Sequence, residues 1–267
     1  MKHKIRTYPA GNRRLLSWIN VSAGLLTGML IVLLTGNGVV LAESPSVIEV
    51  GLFSNENAES GLPAHWEPLH FKGIKRHTEY RLIEEDGQVV VKAKADASAS
   101  GLFRKIAVDP GEYTTIRWRW KVSDVLKNGN VHQKKGDDYP ARVYILFEYD
   151  PDKVGFIESL KYETAKLFYG EYPPSSSINY IWASNAQKGQ VVPNPYTERA
   201  MMFVVESGKE MLNTWVDEER DLYADYREAF KGEPPMIRGV AIMTDTDNTG
   251  ESVTAYYGDI VFLKKLQ

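Results

Sequence analysis

The sequence predicts an all-β fold, and three observations carry that prediction. Short segments alternate apolar and polar residues at period two, turn-forming residues separate them, and only two stretches change to a helical period. An apolar run from Val47 to Phe53 reads as the first strand and leads into a loop. Gln88–Lys94, Gly101–Val108 and Thr114–Val122 follow as strands, with Asp86-Gly87, Asp109-Pro-Gly111 and Asn128-Gly129 supplying sharp reversals. In Thr114–Val122, Ile116, Trp118, Trp120 and Val122 share one face, assigned to the core, and Arg117, Arg119 and Lys121 share the other. Ala141–Tyr149 is rich in β-branched and aromatic residues; Val143, Ile145 and Phe147 face one way, and Arg142, Tyr144, Leu146 and Glu148 the other.

Residues 154–169 switch period, because Phe156, Leu160, Leu167 and Phe168 form a helical stripe. Ile178–Ala183, Arg199–Glu206 and Met236–Thr244 resume strand character. Asp217–Phe230 is predicted helical: Leu222, Tyr226, Ala229 and Phe230 lie on one side, acidic residues crowd its start, and Gly232 with Pro234-Pro235 ends it. Val253–Leu263 closes the chain. Many short strands with one or two helical insertions specify a jelly-roll-type β-sandwich. With no internal repeat, residues 43–267 read as a single β-sandwich domain.

Residues 1–42 read as a signal peptide. Lys2, Lys4, Arg6, Arg13 and Arg14 precede an apolar run from Trp18 to Leu34, and small residues lead to a cleavage point after Ala42. The run approaches the roughly 20 residues that span a bilayer, so an uncleaved anchor is the alternative, and the only membrane contact expected is through a retained leader. The expected location is the periplasm or the exterior. Without the leader the chain carries 27 basic and 35 acidic residues, a formal charge of −8, a sign that argues against nucleic acid as partner. The chain has no cysteine, so no disulfide supports the fold and stability must come from its core.

Two polar clusters stand at strand ends. Asp137 and Asp138 follow Gly136 just ahead of the 141–149 strand, and Asp245, Asp247 and Asn248 follow the 236–244 strand. The clusters converge if the two strands are neighbours. Carboxylate and amide oxygens are the ligands a hard cation such as Ca²⁺ prefers, which makes Asp245, Asp247 and Asn248 candidate metal ligands. Asp245, Asp247 and Gly250 match EF-hand loop positions one, three and six, but Tyr256 replaces the glutamate at position twelve and strands replace the helices. A metal-free polar-ligand site, with Tyr139 and Arg142 orienting the ligand, is a second reading. Plain Asx turns, in which Asp and Asn bond their own backbone, are a third. Asp259 is expected to pair with an arginine. Trp66, Tyr139, Tyr144, Tyr180, Trp182 and Trp215 are not all easily assigned to the core, and an open sheet face bearing some of them would offer stacking surfaces to a glycan.

Catalysis is left open by the residues. Asp137 or Asp138 opposite Asp245 or Asp247 would suit a glycosidase, which needs two carboxylates. A polysaccharide lyase would want a base such as His132 or Tyr139 near an arginine. There is no Gly-x-Ser-x-Gly, no His-Glu-x-x-His, no phosphate loop and no cysteine nucleophile.

From about Gly61 onward the chain resembles the DUF3047 family of exported bacterial proteins of unknown function. The resemblance rests on Trp118-Arg-Trp120, on Gly136-Asp-Asp-Tyr139 running into Ala141-Arg-Val-Tyr144, on Trp215–Phe230, and on Met243-Thr-Asp-Thr-Asp-Asn-Thr249 with Tyr257-Gly-Asp259. It implies a β-sandwich similar to carbohydrate-binding and lectin-like jelly rolls and supplies no catalytic residues. The expectation is therefore an exported binding protein for a glycan or other polar small molecule, its site formed by Asp137, Asp138, Tyr139, Arg142, Asp245, Asp247 and Asn248 with or without Ca²⁺. A glycoside hydrolase or lyase using the same carboxylates, or a non-catalytic envelope assembly subunit, are the alternatives.

Overall fold

The computed structural model describes residues 46–149 and 174–265. The chain divides into two compact units, Met1–Glu43 and Ser44–Gln267. The predicted signal peptide lies outside the described residues, as does the helix predicted over 154–169. Among the described residues no helix is long and apolar enough to cross a membrane.

The second unit is an all-β sandwich. One sheet holds β1 (Val47–Gly51), β3 (Glu79–Glu85), β4 (Gln88–Asp96), β6 (Thr115–Val122), β11 (Val216–Asp221) and β13 (Ser252–Leu263), in the order β11-β6-β13-β4-β3, with β1 also pairing β13. The other holds β2 (Glu67–Leu69), β5 (Ala99–Val108), β7 (Ala141–Phe147), β8 (Ser177–Ala183), β9 (Val191–Asn194), β10 (Thr197–Ser207) and β12 (Ile237–Asp245), in the order β2-β5-β12-β7-β8-β10-β9. The chain crosses between sheets from β4 to β5 to β6 to β7 and again from β11 to β12 to β13, the switching that defines a jelly-roll arrangement. In the second sheet β8 and β10 run parallel. Its outer strands are short, and each contains a proline, Pro68 in β2 and Pro193 in β9.

Period-two alternation sets the core. The inward faces of β6 and β8 meet, with Trp118 stacked on Tyr180 at 5.0 Å between ring centres and Trp120 tilted against Trp182 at 6.0 Å. Val143, Ile145 and Phe147 from β7 and Val240 and Ile242 from β12 fill the same core. Of the aromatics left unassigned by sequence, Trp66, Tyr139, Tyr180 and Trp182 are buried, while Tyr144 and Trp215 are only partly so.

The second predicted helix needs a correction. Residues 216–221 form β11, antiparallel to β6, and the helix α1 spans only Leu222–Phe230. Asp221 marks the boundary, its carboxylate accepting the Ala224 N–H at 2.9 Å as an N-cap. Of the acidic residues read as a helix start, Asp217, Glu219 and Asp221 are the outward-facing positions of an edge strand, since Val216–Asp221 alternates half-buried and exposed. On its inward face, Glu218 lies near Glu206 of β10; its Oε1 is buried without a hydrogen-bond partner, and burial first, then Glu206, raises its carboxyl to about 7.

Candidate functional site

β12 pairs antiparallel with β7, Met243 opposite Arg142, so the start of β7 and the end of β12 meet at one end of the seven-stranded sheet. A short 3-10 turn at Lys134–Gly136 leads into Asp137. Gly136 packs so closely on Asn130 that a Cβ would sit 2.7 Å from the Asn130 nitrogen, which excludes any larger residue without a shift. Beyond β12, the Gly250 N–H closes a turn onto the Thr246 carbonyl at 2.9 Å, with Gly250 at φ +70°. The Thr244 hydroxyl donates to the Pro140 carbonyl at 2.9 Å and fastens the two strand ends together.

These loops bring the carboxylates together. Asp138 is fully buried and accepts four hydrogen bonds. Its Oδ1 takes the Asn248 N–H and Nδ2–H at 3.3 and 3.0 Å; its Oδ2 takes the Thr249 N–H and hydroxyl at 2.6 and 2.8 Å. Asp245 is bound by Arg142 through both oxygens, with Nε at 2.9 Å from Oδ1 and Nη2 on Oδ2, and Oδ1 also accepts the Tyr139 N–H at 3.2 Å. Asp137 accepts from Asn194 Nδ2 at 3.0 Å on each oxygen, and its carbonyl takes Arg142 Nη2 at 2.8 Å. Asp247 is half-buried and, among the described residues, its carboxylate accepts only its own backbone N–H; burial and then the Asp138 charge raise its carboxyl above the usual range.

Arg142 is the hub. It is 3% exposed, and its guanidinium lies 4.3 Å from the Tyr139 ring centre and 5.9 Å from that of Tyr144. Burial works against its charge, but Tyr144, Asp137, Tyr139 and Asp138 outweigh it and hold the side chain as a cation. Burial pushes the Tyr139 phenol far upward despite Arg142, so this residue is no base at neutral pH. Its hydroxyl donates to the Met202 sulfur at 3.3 Å.

Above these groups lies a cleft of about 490 Å³ on the outer face of the sheet. Arg142, Asp137, Asp245, Asp247 and Asn248 contribute to its walls, and Asp138 and Tyr139 lie behind them as supports. Tyr144, noted from sequence as a possible stacking ring, lines the cleft too; sequence reasoning missed Asn179, Asn194, Tyr196, and Phe71, Lys72 and Ile74 from the loop after β2. Tyr196 is 56% exposed and Phe71 37%. The Tyr196 hydroxyl is within donating distance of the Lys134 carbonyl (3.3 Å) and Asn248 Oδ1 (3.2 Å). Asn179 is 1% exposed, projects from β8 beside Tyr144, and its Oδ1 has no hydrogen-bond partner. One signal was available: Asn179 is the single amide in an otherwise apolar and aromatic strand, Ile178–Ala183. Asp259 is elsewhere, its carboxylate accepting the Ser54 N–H at 2.9 Å and hydroxyl at 2.6 Å. His132 faces Gln190 at 3.5 Å and does not line the cleft.

One oxygen from each of Asp138, Asp245 and Asp247 lies within 4.8 Å of the others, a spacing at which three carboxylates can hold one ion. The lone pairs tell against Ca²⁺. A carboxylate offers about four acceptor positions; Asp138 has four donors and Asp245 three, so Asp247 alone is largely free. Water would have to supply most of the six to eight oxygens that Ca²⁺ takes, unless the Arg142 pair were broken.

A family model described as "Protein of unknown function (DUF3047)" matches residues 64–261. No curated protein matches the chain. Among solved structures, the carbohydrate recognition domain of Emp47p is 10% identical over 84% of this chain and 97% of its own, with a TM-score of 0.41. Endoglucanase 3 of Trichoderma harzianum, from family GH12, is 10% identical over 76% of this chain and 100% of its own, at 0.37. An exo-beta-agarase is 11% identical over 82% of this chain and 25% of its own, at 0.32. Likeness at this level says nothing about what this chain binds.

Proposed function

Because the chain belongs to the DUF3047 family, whose description names no activity, we propose a function from its cleft: a binding site for a saccharide, on a protein exported by the leader at residues 1–42. The observation that carries this is the composition of the cleft. Exposed aromatic rings, Tyr196 and Phe71, stand beside convergent amides and a free carboxylate, Asn179, Asn248 and Asp247. A sugar ring presents apolar C–H faces and a rim of hydroxyls, and this pairing of ring and amide matches both. The volume is in the range of small-molecule sites. The buried Arg142–Asp245 pair and the Asp138 clasp serve as the rigid floor rather than as contacts. Calcium is not needed in this reading, because the lone pairs it would require are spent inside the protein. Binding without turnover is the reading adopted, since the closest carboxylates are engaged in hydrogen bonds and Tyr139 is no base.

The test is calorimetry against a panel of oligosaccharides, with and without excess EDTA, followed by assay of the mixtures for shortened products. Binding is expected to survive EDTA and to weaken about tenfold in Tyr196→Ala, the loss of one stacked ring at about 1.4 kcal/mol. Failure of every saccharide to bind would overturn the proposal. Binding that EDTA abolishes and Ca²⁺ restores would overturn its metal-free form, and cleavage of the ligand its non-catalytic form.

A further inference from the structure

The polar groups of the cleft are not evenly matched. Most of its donors are already spent: Arg142 on Asp245 and Asp137, Asn194 Nδ2 on Asp137, Asn248 Nδ2 on Asp138, and the Tyr196 hydroxyl on Lys134 or Asn248. Among the described residues, two acceptors of the cleft keep unused capacity. The half-buried Asp247 carboxylate accepts only its own backbone N–H, and Asn179, in β8, has a buried Oδ1 without a hydrogen-bond partner. Asn179 is independent of the acidic cluster, and a buried amide oxygen in an apolar strand is costly unless something donates to it.

The charges point the same way. Among the described residues, Asp137, Asp138, Asp245 and Asp247 face one buried cation, Arg142; Lys72 at the rim and Lys134 beside Tyr196 are exposed, where water and salt screen them. The interior of the cleft is therefore negative, and the raised carboxyl of Asp247 reports the same field. A metal ion would satisfy the sign but not the ligand count. An ammonium group satisfies both, having three N–H donors, no acceptor and a single charge.

We infer that the saccharide bound here carries a free amine, so that the ligand class is an amino sugar whose ammonium sits against Asp247. The inference rests on the saccharide reading above and narrows it. Neutral hydroxyls would occupy the aromatic side of the cleft, and an anionic sugar would be repelled.

The experiment compares oligomers of glucosamine with N-acetylglucosamine oligomers of equal length, by calorimetry at low and high salt, on the wild-type protein and on Asp247→Asn. The Asp247 carboxylate accepts only its own backbone N–H, which an Asn oxygen can also accept, so the variant should melt with the wild type. The free amine is expected to bind at least tenfold tighter, with the preference shrinking at high salt and vanishing in Asp247→Asn. Equal binding of the two oligomers, a preference unchanged in Asp247→Asn, or binding of neutral sugars alone would overturn the amine assignment and leave the saccharide reading standing. Binding of no saccharide of any kind would remove both.

Discussion

Replacing Asp138 by Asn tests whether this carboxylate is a ligand or a clasp. Both side chains have the same shape, but Asn keeps only one oxygen. Turned either way, its NH₂ confronts a pair of donors, Thr249 N–H and hydroxyl or Asn248 N–H and Nδ2. The better orientation points the NH₂ at Thr249, whose hydroxyl rotates to accept, leaving the Thr249 N–H facing another donor where it had a 2.6 Å bond. Bonds to a charged acceptor contribute about 1.5–3 kcal/mol each, and a buried orphan donor costs about 1–3 kcal/mol. A net loss of about 3 kcal/mol follows. For a domain of this size a kcal/mol moves the melting temperature by about 2–4 °C, so calorimetric melting should fall by about 6–12 °C. Saccharide affinity should fall less, through loosening of Asn248. A variant that melts within about 2 °C of wild type but has lost binding would refute the clasp and make Asp138 a direct contact.

Two further substitutions probe the frame. Arg142→Lys cannot span both oxygens of Asp245 and the Asp137 carbonyl, so a buried carboxylate loses its partner; the urea midpoint should drop by the equivalent of about 3–5 kcal/mol, and an unchanged midpoint would mean that the pair adds no stability. Glu218 should make the protein less stable as pH rises. Its folded carboxyl titrates at about 7 against an ordinary 4.5, so the unfolded chain releases the proton first and stability is lost between those values. The full shift is worth roughly 3 kcal/mol, reduced to about 1–2 kcal/mol because the side chain is partly exposed. Glu218→Gln should therefore gain that amount at pH 8 relative to pH 5, and parallel pH profiles for the two proteins would disprove it.

Period-two alternation was enough to place β6 and β7 and to say which of their residues share a face, and in β6 to name the core face, because a sandwich buries one side of each strand. It failed at β11, where Asp217, Glu218 and Glu219 look like a helix start; an edge strand with one wet face tolerates acidic residues as readily as a helix does. The two Asp clusters were legible as turns at strand ends. Their meeting was not, since it depends on β12 lying beside β7 across about 100 residues of chain. Their roles were legible least of all. Asp138 and Asp247 are alike in sequence, and only the donors around each distinguish a clasp from a free acceptor. Asn179, Tyr196 and Phe71 come from three separate segments, so no local pattern could have joined them.

The sheet that carries the cleft is also closed at its margins. A sheet grows by offering unpaired N–H and C=O groups to a newcomer, and proline has no N–H to offer. With Pro68 in a three-residue outer strand and Pro193 in a four-residue one, each margin is short and interrupted. An all-β protein without disulfides has every opportunity to self-associate through such margins while it folds. Here both margins are blunted beside the cleft: Pro193 directly precedes Asn194, and Phe71 follows β2 closely, Asn194 and Phe71 both being lining residues. The two margins of this sheet therefore offer little to a newcomer, and the strands that carry the cleft are poor templates for self-association.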